Sequence, residues 1–292
     1  MNATPRPLAP RFEGRQRLFC CHSATLSGRF IPNSLAAVEE CVSARVPRLE
    51  IDVQFLADDT MLVFHDATFK GAASGAGRVA EADMETARRL RYHDGSPVAI
   101  LAEAVDALRG CDTVLQVDLK LSRPISARRV RLLKDGLAPV RDRVIIGSQS
   151  HWNLRPFAGE LPIALDPTLH WCFSAATPGL PRTLGVHGLW DDSPVAGNTR
   201  FSALEYVETR VDDLAALLPA AVEWMVDIET IFHFEKLGIA LGDMLGSRGI
   251  ALAAWTLRRE EPAMKTVVER LFHLGAETII TDAAPAAAAS LL

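Results

Sequence analysis

A chain of 292 residues, 49% of them hydrophobic, has material for one large domain or two small ones with a real core. Its 31 basic and 36 acidic side chains leave a formal charge of −5, which argues against non-specific nucleic-acid binding, and no basic cluster is set among aromatics. Five cysteines (Cys20, Cys21, Cys41, Cys111 and Cys172) with no C-x-x-C pair argue against a disulfide scaffold. The first residues lack the apolar core of a secretory signal and no run is long enough for a membrane span, so a soluble cytoplasmic protein is expected.

In chain order, residues 1–16 read as an N-terminal tail. Leu18 to Cys21 reads as a first strand ending at His22. Ser34 is the expected N-cap of a helix from Leu35 to Ala44. Arg48 to Phe55 is a second strand. Ala57-Asp58-Asp59 is turn chemistry, and Met61 to His65 returns from it as the second arm of a hairpin. Gly71 to Gly77 is a small-residue loop without G-x-G-x-x-G order. Helical segments follow at Glu81 to Leu90 and Leu101 to Leu108, then a strand from Thr113 to Lys120, a helix from Ser126 to Leu137 and a strand from Arg143 to Ser148. Leu161 to Leu165 and Glu223 to Ile228 are strands, Phe232 to Arg248 one helix stopped by Gly249, and Ile250 to Trp255 a strand. A helix from Glu261 to Leu274, a strand from Glu277 to Thr281 and an alanine-rich end complete the chain.

Without the hairpin return this makes eight strands alternating with helices, the pattern of a parallel sheet. Eight in this length predict an α/β fold of the (β/α)₈ barrel type, with a β-hairpin excursion after strand two. A doubly wound open sheet is the alternative, but polar residues gather at the C-terminal ends of many strands, which suits a barrel mouth. No linker divides the chain, so residues 1–292 are expected to form a single domain. The connection from Pro167 to Ala221, with Trp171 and Trp190, is long enough to be an insertion or lid.

The chemistry is concentrated in Leu49-Glu50-Ile51-Asp52-Val53. A strand places alternate side chains on one face, so Glu50 and Asp52 point together and Ile51 and Val53 point the other way. Two acids inside an apolar strand are costly unless a cation or hydrogen-bond network compensates them. A hard divalent ion is the simplest such partner. Leu115-Gln116-Val117-Asp118-Leu119-Lys120 repeats the pattern, with Asp118 and Lys120 on one face. His22 and His65 stand in similar strand-end contexts. Trp255 has a strand-end place as well, and Asn33 precedes the first helix. His151, His170, His187, His233 and His273 show no ligand-like spacing, and the chain has neither a G-x-S-x-G elbow nor a P-loop.

In order and spacing these residues resemble the glycerophosphodiester phosphodiesterases, within the phospholipase-C-like phosphodiesterase barrels. The family's His-Arg-Gly and Pro-Glu-Asn-Thr have counterparts in His22-Ser23-Ala24 and Ile31-Pro32-Asn33-Ser34. Its Glu-x-Asp-Val is matched by Glu50-Ile51-Asp52-Val53, its His-Asp by His65-Asp66, and its Gly-rich segment by Gly75-Ala76-Gly77. Its Glu-Ile-Lys strand appears as Asp118-Leu119-Lys120, its Trp-Thr as Trp255-Thr256 and its closing Thr-Asp as Thr281-Asp282. The resemblance implies one divalent ion, Mg²⁺ or Ca²⁺, on Glu50, Asp52 and Asp118. It further implies His22 and His65 as general acid and base, and Lys120 as a phosphate contact. From their places in the chain, Asn33 and Trp255 are further candidate substrate contacts.

Four departures stand out. The arginine after the first histidine is Ser23, the following glycine is Ala24, the glutamate of Pro-Glu-Asn-Thr is Pro32, and the third acid is Asp118 rather than Glu. A guanidinium grips phosphate bidentately and a serine cannot. A related branch, the spider-toxin-like sphingomyelinase D enzymes, is similar in using aspartate at that third position and forms cyclic phosphates. The expected activity is hydrolysis of a small glycerophosphodiester-like molecule to an alcohol and a phosphomonoester. Three rivals stay open: a phosphodiester lyase or transferase releasing a cyclic phosphate, a non-catalytic barrel binding a phosphorylated ligand, and a metal-dependent lyase working beside a carbonyl.

Overall fold

The computed structural model of the protein describes residues 8–167, 169 and 202–292. Among them eight parallel strands follow one another around a barrel. They are β1 (Leu18–Cys21), β2 (Arg48–Phe55), β3 (Val114–Leu119), β4 (Val144–Ser148), β5 (Ile163–Leu165), β6 (Ala221–Asp227), β7 (Ala251–Leu257) and β8 (Ala276–Thr281). Each pairs with the next, as in Asp52 beside Asp118 and Ala254 beside Val226. β8 pairs back onto β1, Thr281 beside Cys21, so the sheet closes and the open-sheet alternative is excluded. Met61–Val63 returns antiparallel along β2, with Val63 beside Val53, which is the expected hairpin excursion.

Strand alternation sorts the side chains into two cores. Leu49, Ile51, Val53, Leu115, Val117, Val144 and Ile146 face the surrounding helices and join the main apolar cluster. Cys20, Ile145, Ala164, Met225, Ala253 and Ile280 form a separate cluster inside the barrel. Space there is tight: a methyl group on Gly147 would come within 2.6 Å of Met225 Cε. Below the mouth, Arg48 closes the lumen with two hydrogen bonds to Glu223, at 2.6 and 2.9 Å, and two to Gln116, at 2.7 and 3.0 Å. Charged groups survive there because every one is paired and hydrogen-bonded.

Helix starts follow side-chain caps. Ser34 accepts the Ala37 N–H at 3.2 Å and starts Leu35–Ser43, and Ser126 accepts the Arg129 N–H at 3.2 Å and starts Ala127–Leu137. The helix expected from Phe232 to Arg248 is two helices, Ile228–Lys236 and Leu241–Gly246. Asp227 caps the first, accepting the Thr230 N–H at 2.9 Å, and Gly238 at φ +76° parts them in a conformation that ends a helix. Residues 8–16 of the expected tail are ordered against the barrel. Leu8 is buried, and Arg11–Phe12 pairs with Arg15–Gln16 in a small hairpin whose Phe12 ring lies 5.4 Å from Phe272. Within the long connection before β6, a helix at Ala203–Leu217 begins with Ser202 and Glu205 capping each other. Residues 168 and 170–201 of that expected insertion, with Trp171 and Trp190, lie outside the described residues. No described helix is long and apolar enough to cross a membrane.

Candidate active site

The ladder between β2 and β3 sets the geometry of the acids. Asp52 pairs with Asp118 and Glu50 with Gln116, so three carboxylates share one wall of the barrel interior near its C-terminal end. One oxygen from each of Glu50, Asp52 and Asp118 lies within 4.8 Å of the others. Glu50 and Asp52 are buried, with 3% and 1% exposure, and Asp118 is half-buried.

Around them the hydrogen bonds are directional. Glu50 Oε2 accepts the Ser23 N–H at 2.6 Å. Asp52 Oδ2 accepts from Asn33 Nδ2 at 2.6 Å and from the Ser23 hydroxyl at 3.3 Å, and the Asp52 N–H donates to Asn33 Oδ1 at 3.0 Å. Lys120 Nζ stands 2.6 Å from Asp118 Oδ2 and 3.1 Å from Asp52 Oδ1. Asp52 Oδ1 is buried, with the Lys120 ammonium as its neighbour. Burial, reinforced by the charges of Asp52 and Asp118, pushes the Glu50 carboxyl well above its ordinary range. Burial also works to raise Asp52, but Lys120, the two histidines and Asn33 outweigh it and hold that carboxyl below its usual value. For Lys120 burial is likewise outweighed, by Asp118, Asp52 and Glu50, so the ammonium is held well above its usual range. Three acids packed this closely fit a hard divalent cation, which would ease the repulsion felt by Glu50.

Two histidines face the acids. The strand β1 ends in a tight turn carrying His22, where Ser23 and Ala24 adopt positive φ of 47° and 55°. His22 Nδ1 bonds Asp282 Oδ1 at 2.6 Å, directly after β8. His65 follows the return strand, and its Nδ1 bonds Asp66 Oδ1 at 2.8 Å. A carboxylate only accepts, so both rings carry their proton on Nδ1 when neutral and leave Nε2 as the basic nitrogen. Gln54, on the same face of β2 as the acids, anchors the His65 turn. Its amide donates to the carbonyls of Phe64, His65 and Asp66 at 2.8, 3.1 and 2.8 Å.

His22, Glu50, His65, Asp118, Lys120 and Trp255 all line one cavity of about 220 Å³ at the barrel mouth. Of the residues expected to form a site, Asp52 is not on the cavity wall but is buried beside it against Lys120. Asn33 is not on its wall: it is 4% exposed and its amide is occupied with Asp52, which makes it a buttress of that carboxylate. Sequence reasoning matched Asp282 to the family's closing Thr-Asp without giving it a role, and did not assign Arg258, Asp166 or Gln54 to the site. Arg258, Asp166 and Gln149 line the cavity, and Arg258 Nη1 donates to Asp282 Oδ2 at 2.9 Å. The available signal was position: Asp166 and Asp282 each follow immediately on a barrel strand.

The sequence model of the glycerophosphoryl diester phosphodiesterase family matches residues 25–172, half of the chain. A glycerophosphodiester phosphodiesterase of Caldanaerobacter subterraneus subsp. tengcongensis is 25% identical over 151 residues, 48% of this chain and 61% of that protein. The alignment therefore spans less than two thirds of that relative. Three solved structures share the fold. A phosphodiesterase of Oleispira antarctica, in complex with the product sn-glycerol-3-phosphate, superposes with a TM-score of 0.64 at 12% identity, covering 94% of this chain and 96% of that one. A glycerophosphodiester phosphodiesterase of Parabacteroides distasonis gives 0.64 at 14% identity, covering 94% and 95%. One from Agrobacterium tumefaciens gives 0.61 at 17%, covering 93% and 98%. At these identities the structures speak to the barrel alone, and it is the sequence match across β2, β3 and the acids they carry that decides membership. The chain belongs to the glycerophosphoryl diester phosphodiesterase family.

Proposed function

We propose that the protein is a metal-dependent phosphodiesterase that cleaves a small glycerophosphodiester-like substrate into an alcohol and a phosphomonoester. The observation that carries this reading is the meeting of three carboxylate oxygens within 4.8 Å, in a barrel mouth also lined by His22, His65 and Lys120. Glu50, Asp52 and Asp118 would hold one divalent ion, Mg²⁺ or Ca²⁺. Bound there, the ion would polarise a phosphoryl oxygen and offset its charge. The two histidines divide the proton transfers. The Nε2 of one takes a proton from the attacking oxygen, and the imidazolium of the other gives a proton to the departing alkoxide. Asp282 and Asp66 fix the rings through Nδ1 and stabilise each imidazolium as it forms. Lys120 balances charge gathering on the phosphoryl oxygens. The P–O bond to the alcohol breaks, and a P–O bond to the incoming oxygen replaces it. The described cysteines, Cys20, Cys21, Cys41 and Cys111, are all free thiols, in keeping with a cytoplasmic setting.

The test is a panel of glycerophosphodiesters incubated with Mg²⁺, Ca²⁺ or Mn²⁺ and followed by phosphorus NMR. A phosphomonoester that appears only with metal is the expected product. A stable cyclic phosphate would replace hydrolysis by the lyase reading. Inertness across the panel at saturating metal would leave only a ligand-binding barrel.

A further inference from the structure

The charges in the cavity do not balance for an anionic substrate with the residues assigned so far. Glu50, Asp118 and Asp166 line it, and Asp52 is buried next to Lys120. Two described lining residues are permanently cationic, Lys120 and Arg258. The Lys120 ammonium is already engaged by Asp118 at 2.6 Å and Asp52 at 3.1 Å. Ser23 offers nothing to a phosphate, since it is buried with its N–H on Glu50 and its hydroxyl on Asp52.

Arg258 is placed differently. It follows β7 at the rim of the cavity, with its side chain 60% exposed. Nη1 donates to Asp282 Oδ2 at 2.9 Å, while Nε and Nη2 meet no acceptor among the described residues. A guanidinium presents its donors in a planar fork, so one edge can stay on Asp282 while another takes two oxygens of a phosphate. The other oxygen of the same carboxylate holds His22 Nδ1 at 2.6 Å. One acid thus sets the spacing between the ring that moves a proton and the cation that meets the anion.

We infer that Arg258 is a substrate-binding residue whose guanidinium, braced by Asp282, grips the phosphoryl oxygens in this cavity. The inference rests on the phosphodiesterase reading of the site and names its anion contact. The experiment is calorimetric titration of the Mg²⁺-loaded protein with sn-glycerol-3-phosphate, comparing wild type, R258Q and R258K, together with steady-state kinetics on a glycerophosphodiester. R258Q weakens phosphoester binding and raises KM about tenfold or more, with kcat changed by less than about threefold. R258K recovers part of the affinity, because an ammonium keeps the charge but not the fork. Equal affinity in wild type and R258Q overturns the inference. So does a fall in kcat at unchanged affinity, which would make Arg258 a positioning residue acting through Asp282. Failure of wild type to bind the phosphoester overturns it too. Circular dichroism and the thermal midpoint report folding, and R258K carries the comparison if R258Q is unstable. A wild type that binds the phosphoester but turns over no diester sinks the phosphodiesterase reading, while the affinity comparison still decides Arg258.

Discussion

Each cavity histidine has Nδ1 committed to a carboxylate, His22 to Asp282 and His65 to Asp66, and each leaves Nε2 for chemistry. Their surroundings differ: the His22 side chain is 23% exposed and that of His65 60%. Neither ring is bonded to Glu50, Asp52 or Asp118, so removing an imidazole should spare the acids. His22→Ala and His65→Ala are expected to lower kcat by about 10²- to 10⁴-fold while calorimetric metal affinity stays near wild type. Wild-type turnover in His22→Ala would show that the acid and base lie elsewhere. Asp282 adds a pH signature. Burial works to raise its carboxyl, but His22 and Arg258 outweigh that and hold it below its ordinary value. A carboxylate depressed in the folded state contributes stability above its unfolded pKa of about 4, and that contribution is lost as pH falls through the folded value. The stability difference between wild type and Asp282→Asn, measured by urea unfolding, should therefore be widest near neutrality and close below about pH 4. A gap independent of pH would contradict this.

At the scale of elements, β2 organises the site. Its inward face carries Arg48, Glu50, Asp52 and Gln54, which serve in turn the lumen floor, two acids of the cluster and the turn bearing His65. Gln54→Leu would leave three backbone carbonyls without their shared donor and loosen His65. The expected result is a loss of about tenfold in kcat, with metal affinity within about threefold of wild type. An unchanged kcat would mean that the turn holds itself. Much of this strand was legible in the sequence, because polar and apolar residues alternate on both β2 and β3 and the period of two leaves only one arrangement of faces. The barrel was legible for a related reason, since its strands are short apolar runs separated by amphipathic stretches. Other features were hidden by physics that is not local. The split between Ile228–Lys236 and Leu241–Gly246 turns on one glycine inside an otherwise helical pattern. Asn33 reads as a loop residue near the site, and only the folded chain shows its amide turned down onto Asp52. The pairing of Arg258 with Asp282 joins residues 24 positions apart, and no spacing rule announces it.

For the molecule as a whole, closure of β8 on β1 brings Asp282 to His22 and makes the two ends of the chain parts of one site. The barrel interior is then layered. Arg48, Gln116 and Glu223 satisfy one another at the bottom, while nearer the top the carboxylates of Glu50, Asp52 and Asp118 gather beside the Lys120 ammonium. The upper group holds three acids against one ammonium, an excess that the proposed cation would offset. The direct measurement is calorimetric titration of the metal-stripped protein with Mg²⁺, Ca²⁺ and Mn²⁺, run beside Asp52→Ala. The account predicts one divalent ion per chain in the wild type, accompanied by a rise in thermal midpoint, and a loss of about tenfold or more in affinity in the variant. A wild type that binds no divalent ion, or an Asp52→Ala protein that binds it equally well, would contradict the account.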